Sequence, residues 1–358
     1  MDHIKVLKRA WEILKHYRVL WIFGILLALT TASAGGGQSN YRTSSDESPP
    51  EWNYQIPEGS EIQGEIEAFV RSLVEGLQPR VGLFIFIGIA ILLIGLTLFI
   101  ISRIVRYVSE TSLIRMVDDY EETGERYTFR QGWKLGWSRA AWRLFLINLV
   151  IDLPIAVVFL CFILLAFSPL LLWGVGNLFA GVIGVVSTIG FAFLIIFFGV
   201  IVATVVTLLK RFFFRVCVLE EAGVRAAIRE GFAFVKENWK DVGLMWLITV
   251  GINIGWPILM IPVVLILFAI GALLGGGVGL LVRGLAGLVL GNGAAWIVAG
   301  VVGLPIFVLV LSVPLVFLGG LKQVFLSSTW TLTYRELRAL ERLESQPVLE
   351  SPAEPGLA

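Results

Sequence analysis

Between residues 144 and 209 the chain carries one charged side chain, Asp152. Residues 81–101, 242–282 and 284–321 carry none. A helix of about 20 apolar residues crosses a hydrocarbon layer roughly 30 Å thick. Residues 81–101 therefore fit one span, and 144–209 must fold back on itself. Only 15% of the chain is charged and 57% is hydrophobic, against about 25% charged in a soluble domain. Lipid, not water, is the solvent this composition requires. SPLLLWGVGN, with Pro169, Gly174, Gly176 and Asn177, is a place to turn, and so is the glycine-rich stretch 275–293. That stretch also suits a short interfacial or re-entrant helix around 278–290.

The charged segments between the runs resemble one another. Around Trp11 the chain reads KVLKRAWEILKHYRVLWIFGILLAL, around Trp133 YTFRQGWKLGWSRAAWRLFLINLVI, and around Phe232 RAAIREGFAFVKENWKDVGLMWLIT. A small residue (Ala10, Gly132, Gly231) precedes each aromatic, and an apolar residue (Ile13, Leu135, Phe234) follows two places later. Basic residues and a long apolar run come next. Feature order kept at single-residue spacing reads as internal repetition. The expected fold is an all-α integral membrane protein of six transmembrane helices. They form three hairpins, each preceded by a cytoplasmic amphipathic helix, within one membrane domain spanning 1–358. The units are 1–110, 111–217 and 218–334, with a cytoplasmic tail over 335–358.

The first apolar run, 19–29, follows a basic start and leads to small residues at 32–34, the pattern of a secretory signal. Its match to the other two copies favours a retained first span. Residues 35–59 are rich in Gly, Ser and Pro and read as a loop. In 60–77 the apolar residues Ile62, Ile66, Phe69, Val70, Leu73, Val74 and Leu77 draw one helical stripe. The segment 35–80 thus reads as an outer loop with a surface helix.

Charge sorting sets the expected orientation. Segments 1–18, 102–143, 210–241 and 322–358 hold 24 of the 28 Lys and Arg residues. Segment 35–80 has three basic residues against eight acidic ones. Positive segments stay on the cytoplasmic side, which makes this a multi-pass protein of the cell (cytoplasmic) membrane with both termini cytoplasmic.

Chemistry is sparse. Walker, GxGxxG, GxSxG, HExxH and paired CxxC motifs are missing from the sequence. The two histidines, His3 and His16, precede the first span and have no neighbouring ligand set. No metal or cofactor is expected. Cys161 and Cys217 read as small buried hydrophobes.

An ionisable residue inside an apolar run is a candidate site by default, which singles out Asp152. Asn148 lies one helical turn earlier, and Asn253 is the polar residue of the fifth span; Asp152, Asn148 and Asn253 are the candidate intramembrane polar site. A second account of Asp152 is structural. Asp152-Leu153-Pro154 looks like a helix start, with Asp capping free N–H groups and Pro in the first turn. Asn177, Asn253 and Asn292 also read as interhelical or turn hydrogen bonders. Trp11, Trp133 and Phe232 are the interfacial aromatics of the repeat. Gly275/Gly279 and Gly287/Gly291 suit close helix packing, and Pro257, Pro262, Pro305 and Pro314 suit kinks. The acidic pairs Asp118/Asp119, Glu121/Glu122 and Glu220/Glu221 read as salt-bridged faces rather than catalytic carboxylates.

The linker-plus-hairpin units, the island VCVLEEAGVRAAIREGFAFVKENWKD and the terminal SSTWTLTYREL resemble a broad set of bacterial polytopic membrane proteins. These are related to the membrane domain attached to some glycerophosphoryl diester phosphodiesterases. The resemblance implies six spans and no catalytic domain, since nothing here carries that enzyme's acid–base and metal-binding residues. The expected function is non-enzymatic: organising membrane lipids, or protein partners met through the linker helices or the outer loop. No nucleic-acid partner is expected. The alternative is a transporter or lipid-handling protein with a path between the repeats.

Overall fold

Apolar side chains surround every long run on all sides, and in lipid each backbone N–H and C=O must be satisfied within its own helix. Helices follow wherever the runs lie. The computed structural model describes residues 1–34, 81–175, 178–288 and 292–345. Among them all regular structure is helical: α1 (His3–His16), α2 (Val19–Ala34), α3 (Val81–Thr123), α4 (Phe129–Gly136), α5 (Arg139–Phe167), a 3₁₀ segment (Ser168–Val175), α6 (Leu178–Leu219), α7 (Val224–Glu237), α8 (Trp239–Gly271), a π turn (Ala272–Gly276), α9 (Gly277–Gly287) and α10 (Asn292–Ser345). The expected helix 60–77 and loop 35–59 lie outside the described residues.

Five helical stretches are long and apolar enough to cross a membrane, or six if α1 and α2, which meet at 101°, count as one broken span. The protein is thus a multi-pass, all-helical membrane protein. Residues 239–287 run through the π turn as one helical stretch, so the glycines of 275–287 do not turn the chain there. These glycines lack side chains, but lipid offers their backbone no other partner, and the helix persists. Pro257 and Pro262 lie inside α8, and Pro305 and Pro314 inside α10, each helix staying continuous.

Contacts divide the chain into Met1–Leu29 with Val105–Ala358, and Thr30–Ile104. In the second unit, α3 presents Phe86, Leu92 and Leu98 outward, each more than half exposed. The first unit contains the core. At 1.5 Å per residue, α6 (42 residues) and α10 (54 residues) are about 63 and 81 Å long, at least twice the hydrocarbon thickness. Their C-terminal parts must leave the lipid, and there the buried side chains gather. Leu113, Ile114, Met116 and Val117 of α3, Phe212–Phe214 and Val216 of α6, and Val324, Trp330, Tyr334 and Leu337 of α10 are buried. Val6, Ala10, Ile13 and Leu14 of α1 and Ala227 and Phe234 of α7 complete this cap.

The short helices enter the cap where a small residue permits contact. A Cβ on Gly132 of α4 would stand 2.6 Å from Met116 Sδ, and one on Gly231 of α7 would stand 2.5 Å from the Phe213 ring. Ala10 of α1 is fully buried. Caps fix the helix ends. Asp2 accepts from the N–H groups of Ile4 and Lys5 at 3.1 Å, and Gln131 Oε1 accepts from the Thr128 N–H at 2.9 Å. Gly124, at φ 73°, closes α3 in the left-handed conformation that a side chain resists.

Candidate functional site

Asp152 does not begin a helix. Helix α5 starts at Arg139, and Asp152 and Pro154 lie in its interior. Asp-Leu-Pro reads as a start only if water is available for freed N–H groups. Inside an apolar run it is cheaper for the helix to continue and forgo one hydrogen bond at Pro154. The Asp152 carboxylate instead accepts from the ammonium of Lys210 on α6. This ion pair joins the two helices of one hairpin.

The pair stands at the end of an apolar slot of about 590 Å³ between α5 and α6. Pro154, Val158, Phe159 and Phe162 line one wall, and Leu194 and Phe198 the other. A smaller chamber of about 360 Å³ adjoins it, sharing Ile155, Phe159 and Val202. Asp152, Thr207 and Lys210 supply its polar groups. Gly199 lets the Phe159 ring pack against α6 where slot and chamber adjoin, since a Cβ there would stand 3.0 Å from that ring. Leu165 and Phe198 on the slot's rim are exposed, so the slot is accessible from the lipid side. It accepts an apolar chain along its length and a charged group at one end.

The other expected polar residues are elsewhere. The Asn148 amide donates to the Tyr107 hydroxyl at 2.7 Å, tying α5 to α3. Asn253 donates to the Thr249 carbonyl at 2.9 Å within α8. It is therefore not an interhelical bonder here, and Asp152, Asn148 and Asn253 do not form one site. The side chains of Asn177 and Asn292 lie outside the described set. Trp11 and Phe232 are half exposed and Trp133 partly buried. Gly275 packs against Gly303 and Phe307 of α10, and Gly279 against Ala299. Gly287 meets nothing within 4 Å, and Gly291, the other member of the second small-residue pair, lies outside the described residues. Cys217 is buried, but Cys161 is exposed on the outer face of α5, where apolar surroundings are lipid rather than protein.

Sequence reading placed Lys210 at the start of a charged island and missed it as Asp152's partner. A usable signal was present. In an antiparallel hairpin, paired positions straddle a common midpoint. Asp152/Lys210 and Phe159/Gly199 both straddle a point at about residue 180.

Carboxylates of the cap are ion-paired across elements. Glu121 binds Arg9 at 2.7 Å, Glu221 binds Arg115 at 3.2 Å, Glu220 binds Arg338 at 2.8 Å, and Asp118 binds Arg335. Glu220 also accepts from the Tyr334 hydroxyl. Near the α1–α2 bend, the Tyr17 hydroxyl accepts from the Tyr127 N–H at 2.6 Å. Burial pushes the Tyr17 phenol up to about 12. These carboxylates serve as structural ties.

A family model described as a family of unknown function (DUF7544) matches residues 14–333. No curated protein and no solved structure matches the chain. The match takes in every span, the slot and most of the cap, and so the chain belongs to DUF7544.

Proposed function

We propose that this protein is a non-enzymatic membrane module that holds and organises lipid, with a phospholipid chain seated between α5 and α6. The slot carries this reading. Its walls are apolar, its rim faces lipid, and its one charged pair lies at an end. An ion or polar solute would meet hydrocarbon along that length, so transport of such a species is the weaker account.

In this reading the cap and both termini lie on the cytoplasmic side of the cytoplasmic membrane, which the sorted Lys and Arg residues support. Labelling of cysteines introduced at Ser44 and Glu230 tests this: Glu230→Cys should react from the cytoplasm and Ser44→Cys from outside. The three hairpins are repeats related by an axis along the membrane normal, each entered through an amphipathic helix. The packing of the short helices supports this. Helix α4 rests on α3 through Gly132 and Met116, α7 on α6 through Gly231 and Phe213, and α1 on α10 through Trp11 and Phe325, 6.2 Å apart. The last contact closes a ring. Phe213 and Phe325 also hold the same place in LKRFFFR and LKQVFLS.

Native mass spectrometry of the protein purified in mild detergent tests the lipid reading. The wild type should retain phospholipid, and Ile155→Trp, which fills the slot, should lower retention severalfold. A wild type that carries none overturns it. A proton or sodium flux in proteoliposomes that Asp152→Asn abolishes would establish transport instead.

A further inference from the structure

We propose that the slot selects a zwitterionic phospholipid, with Lys210 binding the phosphate and Asp152 the headgroup ammonium. This rests on the reading of the slot as a lipid site. The two charges differ in burial. The Lys210 side chain is 15% exposed and the Asp152 side chain 59%. In a phospholipid with an amine headgroup, the phosphate lies next to the glycerol and the ammonium lies beyond it. A lipid whose chain lies in the slot can therefore set its phosphate on the more buried cation and its amine on the more exposed carboxylate.

The chamber has room for that group, at about 360 Å³, and it adjoins the slot, with Ile155, Phe159 and Val202 lining both. The Thr207 hydroxyl lines the same chamber and adds a donor for a phosphate oxygen. A lipid dipole laid against the Asp152–Lys210 dipole forms a closed set of four alternating charges, and neither protein charge loses its partner. An anionic lipid without the amine sets its phosphate near the Asp152 carboxylate and answers it with nothing. In a medium of low dielectric that like-charge contact is costly.

The test compares palmitoyl-oleoyl phosphatidylethanolamine with palmitoyl-oleoyl phosphatidylglycerol, titrated against delipidated full-length protein in detergent and read by native mass spectrometry. Hydrogen bonds to charged groups carry enough energy for the wild type to favour the ethanolamine lipid about tenfold. Asp152→Asn, nearly isosteric and still able to accept from Lys210, should bring the two lipids to near parity. Lys210→Gln should weaken both. Equal binding of the two lipids by the wild type overturns the selectivity, as does a preference that survives Asp152→Asn. In either case, reduced retention in Ile155→Trp leaves the lipid reading standing. If the wild type binds neither lipid, both the selectivity and the lipid reading fail.

Discussion

The cap and the spans are made of the same helices but are packed by different forces. In the cap, Phe212, Leu113 and Trp330 are almost wholly buried. Along the five long spans, no more than 11% of any spanning window is buried. The hydrophobic effect explains the difference. It drives side chains together only where the alternative is water. Lipid tails are as apolar as leucine, so within the bilayer only close fit and polar ties draw helices together. The cap thus secures the fold, and the spans are free to leave gaps such as the α5–α6 slot. A membrane protein built this way can hold lipid between its helices without losing its architecture.

Matched substitutions test that division, and the largest effect belongs to the cap. Trp330 is 1% exposed and meets the Phe212 ring edge-on at 5.5 Å. Trp330→Ala should cost about 3–5 kcal/mol in denaturant unfolding of the detergent-solubilised protein. Leu164 in α5 is 65% exposed, and Leu164→Ala should cost under about 0.5 kcal/mol. Equal losses would break the comparison.

Glycines give the next contrast. A Cβ at Gly136 in the cap would stand 2.4 Å from the Val108 carbonyl oxygen and 2.0 Å from Ser112 Oγ. Gly136→Ala should destabilise by about 1–3 kcal/mol. Gly190 in the α6 span meets nothing within 4 Å, so Gly190→Ala should be neutral or stabilise by up to about 1 kcal/mol through helix propensity. Gly275 sharpens the rule, because it is a span glycine pressed against the Gly303 backbone. Gly275→Val should behave as a cap substitution does.

Polar ties come third. Tyr107→Phe removes the partner of the Asn148 amide and should cost about 0.6 kcal/mol, measured in the same unfolding assay.

The smallest effect is confined to alkaline pH. Tyr17 is held near 12 by burial, against about 10 when unfolded. Its protonated form is therefore favoured by folding. That contribution is complete below pH 10 and is lost as pH rises toward 12. In a pH series of melting temperatures, wild type should fall more steeply than Tyr17→Phe between pH 10 and 12.

Much of the fold was legible in the sequence because lipid imposes a simple rule. Uncharged runs longer than 20 residues have to be helices, and charge islands have to be where water is. The spacing of Ala10, Gly132 and Gly231 marked the three points where short helices enter the cap. Of the two accounts of Asp152, the helix start fails because its tripeptide means different things in different solvents. Beside water Asp-Leu-Pro starts a helix, and within lipid the helix runs through it. Lys210 was missed because it lies 58 residues away, and only the folded hairpin brings it opposite. The slot left no local signature at all. Phe159, Phe198 and Gly199 are unremarkable in an apolar run, and the gap beside them depends on how two helices face one another.

A density map of the protein in lipid nanodiscs, resolved well enough to show side chains, tests the central claim most directly. The account predicts elongated density between Phe159 and Phe198, ending in a headgroup at Lys210 and Asp152, beside an ordered cap. A slot closed by α5 packing directly onto α6, with Phe159 and Phe198 in contact and no room for a chain, would contradict it.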